Sequence, residues 1–327
     1  MSVTVLVTGG AGYIGSHTAK ALRRAGYDVV IYDNLSAGHR EAALGAPLIE
    51  GDIRDVDAVR RALRDTKASA VVHFAAWLIV SDSVTDPAGY YRNNVAGTLG
   101  TLEAMAAEGV GQFVFSSTCA VYGEPITTPI AEDHPTNPVN AYGQTKLAIE
   151  HALPHFERGY GLRSVRLRYF NAAGADPDGE LGEVHAPEIH LIPRAFEAVA
   201  GGPPLDLFGE DYPTPDGTCL RDYIHVSDLA AAHVLALKRL GAGGASGTYN
   251  LGTEQPSSVR DVISTVERVT GRPVPHRTAP RRAGDPATLY ASAVRARTEL
   301  GWVPARPALD TIVEDAWRWH AKHPHGF

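Results

Sequence analysis

Cysteine is nearly absent: Cys119 and Cys219 are the only two in 327 residues. So sparse a pair, with no CxxC spacing, excludes a disulfide framework and a cysteine-held zinc, and it predicts a reducing compartment. Runs of like charge are lacking too. The formal net charge is −7, with acids and bases interspersed, so the basic stripe that tracks a phosphate backbone is missing and no nucleic-acid partner is expected. Long apolar runs are also missing. The most apolar stretch, ASAVVHFAAWLIV (68–80), contains His73 and is shorter than the ~20 residues of a bilayer-spanning helix. The chain enters an apolar stretch at VTVLVTGG (3–10) with no basic leader or cleavage site, which predicts no signal peptide, no membrane partner and a cytoplasmic location. Tandem repeats and low-complexity segments are not found, GAGGASG (241–247) reads as a surface turn, and no metal site is read.

What is present is an alternation. Apolar β-rich runs at 3–9, 28–33, 47–52, 70–75, 112–118 and 164–170 are separated by helical patterns at 16–26, 57–65, 89–109 and 141–156. Short apolar strands alternating with amphipathic helices imply βαβ units, hence an α/β fold with a doubly wound parallel sheet. After residue 171 the pattern breaks. Loops rich in Gly, Pro and acids (171–190, 201–218, 277–288) alternate with helical stretches at 191–201, 228–241 and 258–271. Such loops beside strand ends predict a smaller C-terminal α/β lobe that binds substrate. The expected division is 1–170 as nucleotide domain, joined by part of 220–253, and 171–327 as the lobe.

The first strand runs into TGGAGYIGSH (8–17), which sets Gly9, Gly12 and Gly15 three residues apart at a helix start. Glycines tighten that turn and let backbone N–H groups approach a pyrophosphate at the positive end of the helix. The second strand ends at Asp33, an acid placed to accept the hydroxyls of an adenosine ribose and to repel a 2′-phosphate. The pair favours NAD over NADP on a Rossmann-type sheet. Further strand ends carry Asp52-Ile53, Phe74-Ala75 and Ser116-Ser117-Thr118.

In AYGQTK (141–146), Tyr142 and Lys146 share one helical face at i, i+4. A free phenol titrates near ~10 and is a poor base at neutral pH. An ammonium close by stabilises the phenolate, and the sequence therefore predicts that Lys146 lowers Tyr142 into a usable general base. Taken alone, such a pair is as readily a solvated helix surface; the upstream glycine turn and the hydroxyl-rich strand end give it weight.

Together the glycine triplet, Thr118 and Tyr142-x-x-x-Lys146 resemble the extended short-chain dehydrogenase/reductase family. RYFNAAGAD (168–176), LFGEDYPTPDGTCLRDYIHVSDLA (207–230), YNLGT (249–253) and APRRAGDPA (279–287) are similar to the UDP-galactose (UDP-glucose) 4-epimerases within it. The resemblance spans nearly the whole chain. It implies an NAD-dependent epimerase that inverts C4 of a UDP-hexose through a 4-keto intermediate. Tyr142 would take the O4 proton, Thr118 would position O4, and Lys146 would hold the nicotinamide ribose. Contacts to NAD are implied for Gly9, Gly12, Tyr13, Ile14, Gly15, Asp33, Asn34, Asp52, Ile53, Phe74, Ala75, Asn93 and Tyr169. Contacts to the UDP-sugar are implied for Asn171, Leu191, Phe208, Arg221, Arg282 and Asp285, with Leu289 setting the size of the sugar pocket. For the two arginines the plain alternative is an ion pair with a nearby aspartate. A homodimer built on the helices 89–107 and 141–156 is also implied.

Departures from the pattern bear on specificity. Leu78 stands where a cofactor-binding lysine is common. Ile189-His190 replaces an Asn pair; His190 is read either as a contact to the sugar or, more simply, as a solvated loop residue. Leu289 is smaller than the tyrosine of glucose-restricted members, which leaves room for an N-acetylated sugar. Dehydratases and decarboxylases of the superfamily carry a carboxylate just after the catalytic Thr. Cys119-Ala120 stands there instead, which argues against both. The remaining readings are a 4-epimerase of UDP-glucuronate or a UDP-pentose, a non-catalytic NAD-binding regulator, and a net oxidoreductase.

Overall fold

The computed structural model describes residues 3–282 and 285–327. Seven parallel strands form the main sheet: β1 (Thr4–Thr8), β2 (Asp28–Asp33), β3 (Leu48–Glu50), β4 (Ala70–His73), β5 (Gln112–Ser116), β6 (Arg163–Tyr169) and β7 (Gly247–Leu251), in the order β7-β6-β5-β4-β1-β2-β3. Their side chains alternate between two cores. Val5, Val7, Val72 and Val114 face one layer, whereas Leu6, Val71, Phe113 and Phe115 face the other. Burial on both faces is why these strands read as unbroken apolar runs. Chain order reverses between β1 and β4, and that switch point opens a crevice at the carboxyl ends of the strands.

Helices cover both faces: α1 (Tyr13–Arg24), α2 (Val56–Thr66), α3 (Gly97–Ala107), α4 (Ala141–Tyr160) and, beyond α5 (Leu191–Val199), α6 (Val226–Gly241). Local chemistry sets their ends. Asp55 caps α2 by accepting from Ala58 N at 2.9 Å, and Asn140 caps α4 by accepting from Gly143 N at 2.8 Å. The α4 helix stops at Gly161, whose φ of 71° ends the run without a Cβ penalty. Before α3, Tyr91–Ala96 forms a wider π turn. It buries Asn94, which bonds Trp77 N at 2.8 Å and Trp77 O at 3.0 Å.

The lobe packs α5, α7 (Val259–Thr270) and α8 (Leu309–Lys322) around Phe196, Val262, Val266, Ile312 and Val313. It is tied to the sheet domain through His225 and Asp228. His225 caps α6 by accepting from Ser227 N and lies 3.2 Å from Asp315 of α8, which also holds Arg306 at 3.0 Å and Arg318 at 2.7 Å. Asp228 accepts from Ala305 N and Arg306 N, both at 2.9 Å.

The sequence reading places α1 three residues late and passes over β7 and α8. The β7 strand GTYNL carries a polar Asn250, and that masks it. Asn250 is buried but satisfied, accepting from Tyr122 Oη at 2.6 Å and donating to Ile130 O at 2.9 Å. The α8 signal is there in Ile312, Ala316 and Trp319, one buried stripe at helical spacing. Among the described residues no helix is long and apolar enough to cross a membrane.

Candidate active site

One long cleft runs along the carboxyl ends of β1, β2, β4, β5 and β6. At one end the glycine turn forms its floor. Gly9 has φ +70°, and a Cβ there would fall 2.5 Å from Ala75 N. A Cβ on Gly15 would fall 2.1 Å from Gly9 O. These two glycines therefore serve the close packing of turn, helix and β4. Gly12 differs: an added Cβ would meet only Gly9 O, at 3.5 Å, and would otherwise fill the open cleft. Gly12 is the N-cap of α1, with no side-chain cap and no acid in the first turn. The N–H groups of that helix start are left for an anion, and the space a Cβ would take is the space a pyrophosphate needs.

Asp33 closes this end. Its carboxylate accepts from Ala11 N and Leu35 N, both at 2.9 Å, and burial raises its pKa. Tyr13, Ile14, Asn34, Ile53, Phe74, Ala75, Asn93 and Tyr169 line the same cleft, as does the half-exposed Leu78. The residues present fit a dinucleotide. Asp52 sits apart from that lining. Arg54 clasps its carboxylate at 2.8 and 2.6 Å and holds its pKa down to about 2, and Asn34 donates to it at 3.1 Å.

At the middle, Thr118, Tyr142 and Lys146 come together. Burial raises the Tyr142 phenol well above its usual range, Tyr169 pushes it the same way, and a hydrogen bond with Thr118 draws it down. Lys146 is not among the neighbours that act on it most, contrary to the expectation from the i, i+4 spacing. The reason is direction: the lysine passes beneath the strand end, where Nζ donates to Ser116 O at 2.8 Å and lies 5.0 Å from the Phe115 ring centroid. Burial lowers Lys146 to about 8. Next to Thr118, burial pushes the Cys119 thiol up to about 12, so it stays protonated at neutral pH.

The lobe supplies the far end. Asn171 and Leu191 line the cleft with Tyr223, Glu183, His185 and His190. His190 is not a solvated loop residue: it is half-buried and pairs through Nδ1 with Glu183, which His185 also approaches at 3.1 Å. Burial disfavours charge on all three, but mutual attraction outweighs it, lowering Glu183 to about 2 and raising His185 to about 10. Phe208, Arg221, Arg282, Asp285 and Leu289 gather beyond this end. Buried Arg221 pairs with Asp285, its strand partner in register is Leu289, and the Arg282 guanidinium stacks 4.0 Å over the Phe208 ring. Arg221 is close enough to Tyr223 and Cys119 to act on both electrostatically. Sequence reasoning missed Tyr223, Glu183 and His185, although the Glu-x-His-x-x-Glu-x-His spacing of 183–190 was there to be read.

Residues 5–252 match the model of the NAD dependent epimerase/dehydratase family. A UDP-glucose 4-epimerase of Halalkalibacterium halodurans is 50% identical over 326 residues, covering 99% of this chain and 98% of that protein. The crystal structure of UDP-glucose 4-epimerase from Brucella ovis in complex with NAD superposes with a TM-score of 0.95 at 51% identity, covering 97% of this chain and 98% of that one. The enzyme from Bifidobacterium longum, in complex with NAD+ and UDP, gives a TM-score of 0.93 at 38% identity over 99% of this chain and all of its own.

Proposed function

The chain belongs to the NAD dependent epimerase/dehydratase family, and from that premise we propose that it inverts C4 of a UDP-hexose, interconverting UDP-glucose and UDP-galactose. The observation that carries the reading is the meeting of Thr118, Tyr142 and Lys146 in one cleft, with Cys119-Ala120 standing where elimination chemistry would need a carboxylate. NAD fits the glycine-floored end of the cleft, where Gly12, Asp33 and Lys146 would hold it; bound there it would supply reversible hydride acceptance from C4 and a positive charge that favours a phenolate.

Tyr142 takes the proton of the O4 hydroxyl and returns it to O4 once the 4-keto sugar has turned its opposite face toward the cofactor. Thr118, beside Tyr142 in the cleft, orients O4. Lys146, fixed on the Ser116 carbonyl, holds the nicotinamide ribose rather than tuning Tyr142 directly. With no acid or base at 119 or 120, the C5 proton and C6 hydroxyl are left alone, and the chemistry stays confined to C4. Gly9, Gly12, Tyr13, Ile14, Gly15, Asp33, Asn34, Ile53, Phe74, Ala75, Asn93 and Tyr169 hold NAD, and Asp52 contributes from outside the lining by fixing Asn34. Asn171, Leu191, Phe208, Arg221, Arg282 and Asp285 hold the UDP-sugar, the guanidinium forks facing its diphosphate once Arg221 trades Asp285 for phosphate.

The nucleotide domain is residues 1–170 with part of 220–253, the lobe is the rest, and a homodimer forms through 89–107 and 141–156. An acidic chain with so few cysteines suits a cytoplasmic setting. Identifying products by NMR from a panel of UDP-sugars tests the reaction. Tyr142→Phe should lose about 10²- to 10⁴-fold in kcat while still binding NAD; unchanged turnover would remove Tyr142 as the base. Leu289 supports a second substrate pair, the N-acetylated hexosamines. Inactivity on UDP-N-acetylgalactosamine would sink that.

A further inference from the structure

The four side chains of Glu183, His185, Glu188 and His190 come from one eight-residue segment, and their ligand atoms all lie within 4.8 Å of one another. Both histidines turn Nδ1 toward the two carboxylates. His185 Nδ1 lies 3.1 Å from Glu183 Oε1 and 3.8 Å from Glu188 Oε1, and His190 Nδ1 lies 3.9 Å from Glu188 Oε1. A tetrahedral ion with bonds of about 2.1 Å sets neighbouring ligands roughly 3.4 Å apart, a spacing that these distances bracket.

A second feature points the same way. His185 Nδ1 is fully buried and has no hydrogen-bond partner, because its approach to Glu183 lacks hydrogen-bond geometry. A buried ring nitrogen that faces two carboxylates yet makes no hydrogen bond of its own is placed to take a further partner. The two glutamates are buried as well, each side chain 7% exposed. Glu188 Oε1 is steadied by Ile189 N at 2.8 Å and His190 N at 2.9 Å, which fixes the carboxylate in place. The nearby group Asp176, Asp178 and Glu180 makes the contrast: Lys20 Nζ closes it at 2.5, 3.2 and 2.6 Å, so its positive centre is already supplied.

We propose that Glu183, His185, Glu188 and His190 form a binding site for a borderline divalent cation, zinc being the ion that fits, and that this ion clamps the 183–190 segment against the cleft. Two imidazoles with two carboxylates suit Zn²⁺; Mg²⁺ and Ca²⁺ prefer an all-oxygen shell of six or more. The clamp would reach the cofactor end directly, because the His185 ring stands edge-on to Tyr13 at 6.4 Å between centroids. It would also fix the entry to α5, whose first residue is Leu191.

The test uses untagged full-length protein stripped with a chelator. Zinc is titrated against a competing chromophoric chelator, thermal unfolding is followed with and without zinc, and cobalt is substituted to read the visible d–d bands of a tetrahedral site. Saturation at one equivalent, a raised Tm and intense cobalt bands are expected. A His185→Ala/His190→Ala variant should weaken zinc binding by at least about 100-fold and lose the Tm shift. If that variant does not fold, Glu188→Gln should still weaken zinc binding by about 10-fold. Absence of saturable binding to the wild type, octahedral-type cobalt bands, or variants that bind zinc as tightly as the wild type would each overturn the site and leave the cluster as an imidazolium–carboxylate ion-pair network.

Discussion

Gly9, Gly12 and Gly15 build one end of the cleft from backbone, whereas the 183–190 segment and Arg221 build the other from charged side chains. Histidine makes the contrast measurable. In the sheet domain His17, His73 and His233 are buried without a carboxylate in contact, and burial lowers them to about 4, 3 and 4. In the lobe His185 and His190 are raised by Glu183 and Glu188 against the pull of burial. Where the ligand group is invariant in shape, such as a pyrophosphate, fixed N–H groups suffice. Where a sugar must turn over between two faces, the wall consists of side chains that can exchange partners.

The largest blow to this contrast should come from within the sheet domain. A deeply buried ion pair there joins Arg168 to Glu150 at 2.5 Å, with Ser117 Oγ also donating to Glu150 at 2.5 Å. Glu150→Leu strands the guanidinium and should cost about 3–5 kcal/mol in urea unfolding. A loss near zero would mean that the sheet domain does not depend on this pairing. Next in size, Arg221→Ala should raise KM for the UDP-sugar by a factor worth about 2–3 kcal/mol and leave NAD affinity alone. Gly12→Ala should do the reverse, weakening NAD without lowering Tm, because its Cβ has room in the fold but none beside a pyrophosphate. Equal effects of both substitutions on both ligands would erase the distinction between the ends.

The smallest effect is on acid stability. His17, His73 and His233 bind protons near ~6.5 when unfolded but only at about 3 to 4 when folded. The unfolded chain therefore holds more protons in that window. Their contribution is complete above ~6.5 and is lost as pH falls toward 4, with roughly 2 kcal/mol gone between pH 7 and 6. His185 and His190 of the lobe, raised by their carboxylates, titrate with the opposite sign over this window. Chemical denaturation at the two pH values is therefore read on a His185→Gln/His190→Gln variant; a higher stability at pH 6 there would contradict buried neutral rings.

Much of the backbone-built end was legible in the sequence, because glycine spacing and an acid at a strand end are local steric and electrostatic demands. The sheet was legible for the same reason, apart from β7, where a satisfied Asn250 broke the apolar run. Tyr142 and Lys146 were legible as a pair, but not the direction of the lysine, which depends on where β5 ends. At the lobe end, the alternative of phosphate or aspartate for Arg221 could not be resolved from spacing. Asp285 lies far along the chain and reaches it only through the folded register of Leu289 against Arg221. Glu183, His185, Glu188 and His190 were in plain view, yet a segment rich in Gly and Pro was read as loop and its spacing went unused.

The grip of Asp315 on His225, Arg306 and Arg318 has a mechanical consequence. Tyr223 in the cleft and His225 beneath it share one three-residue strand, so α8 acts as a buttress for the sugar pocket from outside. Loosening that helix, by a bulky fusion or by Asp315→Asn, should be felt first as a softer hold on substrate, well before the sheet domain begins to unfold.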